Sequence, residues 1–135
     1  MIAYRPIEKQ DLPSVIELCR VENWTSYIQD PDRTWRVFTA PGVCTFVAAQ
    51  SGQVVGFVQM QSDGFIQAHL SLVLVARDRR RQGLGKSLIR RAFEAAGGER
   101  VDLITELAPE FYRSLSHKEW LGFRIYPQVE MGGPV

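Results

Sequence analysis

A dense run of arginines followed by two closely spaced glycines is the part of this sequence best suited to chemistry. Residues 73–88 form an apolar strand pattern, a basic turn and the start of an amphipathic helix. The partial positive charge of a helix N-terminus disfavours cations there unless an anion binds among them. Backbone N–H groups freed by glycine can hold phosphate at such a point. The run therefore predicts a phosphate site, with a basic surface turn as the alternative. Its arginines are Arg77, Arg79, Arg80 and Arg81.

The glycines that this run lacks narrow the class of phosphate ligand. A triphosphate-binding loop needs Gly-x4-Gly-Lys-Ser/Thr, but Arg80 stands where its first glycine would be. A dinucleotide-binding turn needs Gly-x-Gly-x-x-Gly, and Leu88 replaces the third glycine. Neither a nucleoside triphosphatase nor a dinucleotide-binding fold is predicted.

Composition indicates one balanced globular domain with a local basic patch. The chain has 135 residues, 45% of them hydrophobic, and a formal net charge of +1. Seven of its 16 basic residues fall within residues 77–91, which favours one polyanionic ligand over nucleic acid or a membrane surface. The two cysteines lack metal-like spacing, and no long apolar run is present. A reduced, cytoplasmic protein that does not bind metal is expected.

Hydrophobic periodicity predicts the elements that must position the phosphate site. Three helices are expected: one capped by Asp11, one from Asp30-Pro31, and one that follows Gly85 and stops at Gly97. Their inward residues are Leu12, Val15, Ile16 and Cys19, then Trp35 and Phe38, then Leu88, Ile89, Ala92 and Ala96. Strands are predicted over 2–5, 45–50, 53–61, 65–75, 101–105 (buried on both faces) and 122–126, and a short helix over 110–115. This order predicts an α/β fold with a mixed sheet between helices.

The phosphate run resembles a known family signature. Residues 80–85 (Arg-Arg-Gln-Gly-Leu-Gly), after the apolar residues 73–75, are similar to the acyl-CoA-binding motif Gln/Arg-x-x-Gly-x-Gly/Ala of the GNAT (GCN5-related) N-acetyltransferases. Further similar segments follow the family's order: Tyr4-Arg5-Pro6 with Gln10-Asp11-Leu12-Pro13, residues 52–57, Phe111-Tyr112 and Gly122-Phe123-Arg124. The resemblance implies a single domain over 1–135 with the splayed central mixed sheet of an acyl-CoA N-acyltransferase.

The resemblance implies a donor site for acetyl-CoA. Backbone amides of residues 81–86 would hold its pyrophosphate, while Arg80 matches the family's Gln/Arg position. Arg79 and Arg81 are candidates for the 3′-phosphate. Backbone groups of the fourth strand would pair with the pantetheine arm, which requires the sheet to splay between that strand and the fifth. The implied set is Val73, Leu74, Val75, Arg80, Arg81, Gln82, Gly83, Leu84, Gly85, Lys86 and Ser87, with no metal.

The resemblance also implies transfer of the acetyl group to a primary amine. A neutral amine would attack the thioester carbonyl, and the N–H of Leu74 or Val75 would stabilise the tetrahedral oxyanion. Tyr112 stands where the family's tyrosine often protonates the departing thiolate. Residues 114–121 lengthen the connection after it relative to the family pattern.

The general base that deprotonates the amine stays open between several residues. Glu106 follows the predicted fifth strand, where a splayed sheet would expose the thioester, and ranks first. His69 would share a face of its strand with Val73 by period-two counting, although a structural histidine is the commoner role there. Glu22 and His117 are further candidates.

The acceptor itself is not named by the sequence. A small-molecule or peptide amine is expected, and a homodimer is left open. Two other classes of function remain: a GNAT-like module that binds acyl-CoA without catalysis, as a sensor or partner subunit, and an anion-binding protein whose arginines meet nucleic acid. The balanced charge and the lack of aromatic residues among residues 77–81 disfavour nucleic acid.

Overall fold

Five strands form one mixed sheet in the computed structural model, which describes residues 1–127. Their spatial order is their order along the chain, with β1 to β4 antiparallel and β5 parallel to β4. The strands are β1 (Ala3–Pro6), β2 (Val43–Gln50), β3 (Gln53–Ser62), β4 (Gln67–Val75) and β5 (Arg100–Asp102). The helices are α1 (Leu12–Val21), α2 (Pro31–Thr39), α3 (Leu84–Ala96) and α4 (Pro109–Arg113).

Two layers of helix cover opposite faces of this sheet. The stripe predicted for α1 is buried against Phe38 of α2 and Phe57 of β3. A Cβ at Gly56 would lie 3.4 Å from Leu88 of α3. Because neighbouring residues of a strand point to opposite faces, α3 packs on the face away from α1 and α2. The mixed sheet flanked by helices is confirmed.

Three sequence predictions about strands are wrong. β4 begins at Gln67 rather than Phe65, because the Asp63 carboxylate accepts the N–H groups of Phe65 and Ile66 at 2.8 Å and holds them in a turn. β5 ends at Asp102 rather than 105 and is not buried on both faces. Residues 122–126 form no strand, and no described strand pairs with them.

Helix ends also differ from expectation. The Asp11 carboxylate does not cap α1; it accepts two bonds from Arg5, at 2.7 and 2.9 Å, and one from the N–H of Glu8 at 2.8 Å. Asp30 caps α2 as predicted, and Gly97 ends α3 as predicted, with φ +80°. On α3, Leu84, Leu88 and Ala92 are buried, whereas the predicted core residues Ile89 and Ala96 are only half-buried.

The chain forms two compact units, Met1–Leu103 and a second that begins at Ile104. The first holds the whole sheet with α1, α2 and α3, and the second holds α4. The expectation of a single domain over 1–135 stays a prediction. Within residues 1–127, no helix is long and apolar enough to cross a membrane.

Candidate functional site

The predicted phosphate turn ends in a helix N-terminus that no side chain of residues 1–127 caps. Gly83 is the N-cap of α3, and its carbonyl accepts the N–H of Ser87 at 3.1 Å. The N–H groups of residues 84–86 precede that bond and have no partner within the helix. Arg81 and Gly83 both have left-handed φ values, +64° and +83°, and left-handed residues in a turn can aim N–H groups into a shared concavity. The turn therefore offers several backbone donors to one anion.

Open space lies where a side chain at position 83 would project. A Cβ there meets no described atom within 4 Å, so glycine is required by its φ rather than by crowding. Around it, Leu84 is buried and anchors the helix in the core. Gln82 and Lys86 are exposed, and Gly85 and Ser87 are half-buried. The polar side of the helix start thus faces solvent.

Within residues 1–127, no strand pairs with the edge of β4 beside this turn, so this edge is open, as predicted from the family resemblance. β5 pairs only with Gln67, Ala68 and His69, the first three residues of β4. The N–H of Ala76 donates to Val55 of β3 at 2.8 Å. Because backbone direction alternates along an antiparallel strand, the N–H and C=O of Val75 and Val73 point away from β3 towards that open edge.

The same alternation separates the two predicted oxyanion donors. Leu74 lies opposite Phe57 in register, and its backbone groups are directed at β3. The N–H of Val75 is directed at the open edge. The geometry of this strand therefore favours Val75 over Leu74 for a ligand on that side.

Most of the arginine cluster is already paired within the protein. Arg80 bonds Glu22 at 2.5 Å and the carbonyl of Val75 at 2.9 Å, and Arg77 also bonds Glu22, at 3.2 Å. The Arg77 and Arg80 guanidinium groups hold the pKa of the Glu22 carboxyl below its ordinary value. A carboxylate stabilised in this way is a weak base. Through these two ion pairs, Glu22 links the end of α1 to the turn.

Arg79 and Arg81 differ in their freedom to meet a ligand. The Arg79 guanidinium donates to the side-chain oxygen of Gln50, while Arg81 is exposed and has no hydrogen bond or ion pair within residues 1–127. Sequence reasoning did not find the roles of Glu22 and Gln50 beside the turn. Neither has a sequence signal, because each is held there by a partner at least 29 positions away.

The two predicted catalytic residues lie in the second unit. Tyr112 is half-buried on α4, its ring centroid is 4.9 Å from that of Phe111, and burial raises the pKa of its phenol. Glu106 is exposed in the segment between β5 and α4. His117 bonds the Leu115 carbonyl at 2.7 Å and lies 3.4 Å from Glu119.

A β-bulge corrects the predicted face of His69. The register of β3 and β4 shifts between Gln59, opposite Leu72, and Met60, opposite Leu70, so Ser71 is an extra residue. Period-two counting fails across it. His69 lies opposite Gln61, on the face that α1 and α2 cover, rather than with Val73 and Val75.

Comparison with known proteins agrees with this fold. A transcriptional regulator from Bacillus halodurans has a TM-score of 0.78 at 20% identity, over 93% of this chain and 99% of that one. An aminoglycoside acetyltransferase from a soil metagenome, solved with sisomicin, has 0.74 at 20%, over 96% and 97%. A ribosomal-protein-alanine N-acetyltransferase from Brucella melitensis has 0.73 at 17%, over 93% and 98%. No curated protein matches the sequence.

A family model decides the class more directly than these folds do. The model of the acetyltransferase (GNAT) family matches residues 9–117, most of the chain, and includes the basic turn, both glycines and Tyr112. The protein belongs to the GNAT acetyltransferase family.

Proposed function

We propose that this protein is an N-acetyltransferase that moves the acetyl group of acetyl-CoA to a primary amine of a small molecule or peptide. The observation that carries the proposal is the juxtaposition of an uncapped helix N-terminus at Gly83 with the open edge of β4. An acyl-CoA carries a diphosphate and, beyond it, an arm with two amide groups. The first fits backbone donors at a helix start, and the second fits an unpaired strand edge.

Donor binding is divided between backbone and side chains. The N–H groups of residues 81–86 hold the pyrophosphate. The N–H and C=O of Val73 and the N–H of Val75 pair with the pantetheine amides. Arg80 keeps its bonds to Glu22 and to the Val75 carbonyl and so shapes the turn. Arg81 is the proposed contact for the 3′-phosphate, because Arg79 is engaged by Gln50.

The reaction requires a neutral amine. It also requires groups that stabilise the negative charge of the oxyanion and that of the departing thiolate. The amine nitrogen attacks the thioester carbonyl carbon, and the carbonyl oxygen becomes an oxyanion that a backbone N–H on the open edge of β4 stabilises. The C–S bond then breaks, and Tyr112 supplies the proton that the thiolate takes. Burial, which raises the pKa of this phenol, keeps its proton in place at neutral pH. Glu106 is one candidate for the base, because its exposed carboxylate could take a proton from the amine.

Two measurements test the activity. Calorimetric titration with coenzyme A is expected to give binding, and no binding at millimolar ligand would contradict the proposal. Release of free thiol from acetyl-CoA is then followed with an alanyl peptide, an amino sugar and a diamine as acceptors. Donor binding without turnover on a wider amine panel would favour the alternative, an acyl-CoA-binding module without catalysis. A cytoplasmic location, absence of a metal cofactor and an acceptor other than nucleic acid are part of the same proposal.

A further inference from the structure

A polar strip crosses the sheet on the face of α1 and α2, beyond the part that these helices cover. It consists of Gln61 of β3, Gln67, His69 and Ser71 of β4, and Asp102 of β5. The face is fixed by Gln59, two residues before Gln61, whose side chain donates to the Val37 carbonyl of α2 at 3.1 Å. Under the helices this face is buried, with Phe57 and Leu74 in the core and with Thr45 and Gln59 bonded to backbone carbonyls. The strip is the exposed polar part of the face, and its side chains are available to a ligand.

Most of the strip is held by bonds within it. Gln61 donates to the Ser71 hydroxyl at 2.8 Å, and Gln67 donates to the Asp102 carboxylate at 2.7 Å. The His69 imidazole is exposed and makes no hydrogen bond within residues 1–127. A groove of about 330 Å³ is lined by Gln61, Gln67 and His69, among others. The imidazole is therefore the free functional group of a preformed polar surface.

The length of the proposed donor places its sulfur near this imidazole. The arm between diphosphate and sulfur has about thirteen bonds, as many as about four residues of extended chain, which span about 13 Å. The proposed diphosphate lies at the turn that follows Val75, the last residue of β4. Counted back along β4 from Val75, this distance ends near Ser71, just beyond the last β5 pairing at His69. Two residues of strand separate His69 from that point, about 7 Å, which one water and an imidazole side chain can bridge.

The carboxylates near His69 are engaged by other groups of the protein. Asp102, its partner on β5, accepts from Gln67, and Arg100 lies two residues away on the same strand. Asp63, which shares the groove, accepts backbone N–H groups that hold its pKa below the ordinary value. On β3, the residue opposite His69 is the uncharged Gln61.

We propose that His69 is the general base of the reaction and that Gln61 and Ser71 orient the acceptor beside it; the inference rests on the proposed acetyl transfer. An ammonium acceptor gives one proton to the imidazole, directly or through one water, and the neutral nitrogen forms the C–N bond. When the C–S bond breaks, the thiolate takes the proton of Tyr112 and leaves as free thiol, and the second proton of the attacking nitrogen restores the Tyr112 phenol. The nitrogen retains one hydrogen as the amide, and the imidazolium releases its proton to solvent. Imidazole suits this step because, in its neutral form, one ring nitrogen is a proton acceptor.

The first test needs no acceptor. Histidine ring resonances are followed by NMR while acetyl-CoA is added, and His69→Gln assigns the signal. The His69 signal is expected to shift on binding, because the thioester lies near it. A donor that binds calorimetrically without moving that signal would overturn the inference while leaving the proposed function intact.

The second test is kinetic, with the acceptor of highest turnover from the amine panel. His69→Gln is expected to keep donor affinity within about twofold and to lower kcat/KM at pH 7 by about a hundredfold or more. Its rate should recover as pH rises and the amine loses its proton unaided. The matched change at the chain's other histidine, His117→Gln, should leave the pH profile as it was. An unchanged profile in His69→Gln, or a lost acidic limb in His117→Gln, would refute the assignment. Absence of turnover in the wild type with every amine would instead count against the proposed function and against His69 with it.

Discussion

Replacing Gly83 by valine should separate donor binding from folding. Valine at φ +83° forces an L-residue into the left-handed region, at a cost of about 1–3 kcal/mol. No described atom beyond the neighbouring residues lies within 4 Å of the new Cβ. The expected decrease in the free energy of unfolding therefore comes from backbone strain rather than from a steric clash of the Cβ. For a chain of this size, each kcal/mol lowers the melting temperature by roughly 3–5 °C.

The chain offers a matched control for that strain at Gly52. Gly52 has φ +80°, also meets no atom within 4 Å of a built Cβ, and lies in the tight turn between β2 and β3. Gly52→Val should therefore lower thermal stability by a similar amount. The valine side chain at position 52 is not part of the turn before α3, so this variant reports the effect of strain alone.

Only the change at position 83 should weaken coenzyme A. Its side chain projects where the diphosphate would approach the backbone donors, and each lost charge-assisted hydrogen bond is worth about 1.5–3 kcal/mol. Loss of one such bond weakens binding by about ten- to a hundredfold, and loss of two by about a hundredfold or more. Calorimetric titration of both variants, with melting curves for each, measures the difference. Equal affinity in Gly83→Val and Gly52→Val would refute the phosphate cradle.

Further predictions concern stability, charge and the proton donor. Asp11→Asn should lower the free energy of unfolding by about 2–3 kcal/mol, because the buried carboxylate pairs with Arg5. The Arg5 hydrogen bond lowers the folded pKa of Asp11, so this stability is present above the unfolded value near pH 4 and is lost as pH falls through the folded pKa. Denaturant melts from pH 7 to 3 should converge for the two proteins; a constant gap would contradict this. Arg81→Gln should weaken coenzyme A about three- to tenfold but leave 3′-dephospho-coenzyme A unaffected, with Arg90→Gln as the control; equal loss for both ligands would remove Arg81 from the 3′-phosphate. Tyr112→Phe should lower kcat by about tenfold or more with donor affinity retained, and unchanged turnover would exclude it as the acid.

The local parts of the fold were predictable where local chemistry decides them. The apolar stripe of α1, the Asp30 cap of α2, the Ser51-Gly52 hairpin and the Gly97 stop all follow from periodicity, capping and left-handed φ values. Predictions were wrong where a distant partner decides. Asp11 has the position of a helix cap, yet its carboxylate bonds Arg5 and the Glu8 N–H.

The candidate site divides in the same way. The turn, its glycines and the opening helix were predicted, since four arginines within five residues and a short glycine motif are local features. The pairing of Glu22 with Arg77 and Arg80 was not, because 55 and 58 residues separate the partners. The bulge at Ser71 was also missed, and it moved His69 to the other face of the sheet.

The sequence alone determined the family, and it predicts the donor class and the run of residues that would hold its phosphates, because these depend on neighbours in the chain. Only the tertiary structure decided which of those groups are free to act. It directs Val75 rather than Leu74 towards the open edge, engages Arg80 with Glu22, and leaves His69 unbonded on an exposed groove. Each of these outcomes depends on strand register or on a contact between distant segments, and neither is encoded in local residue order.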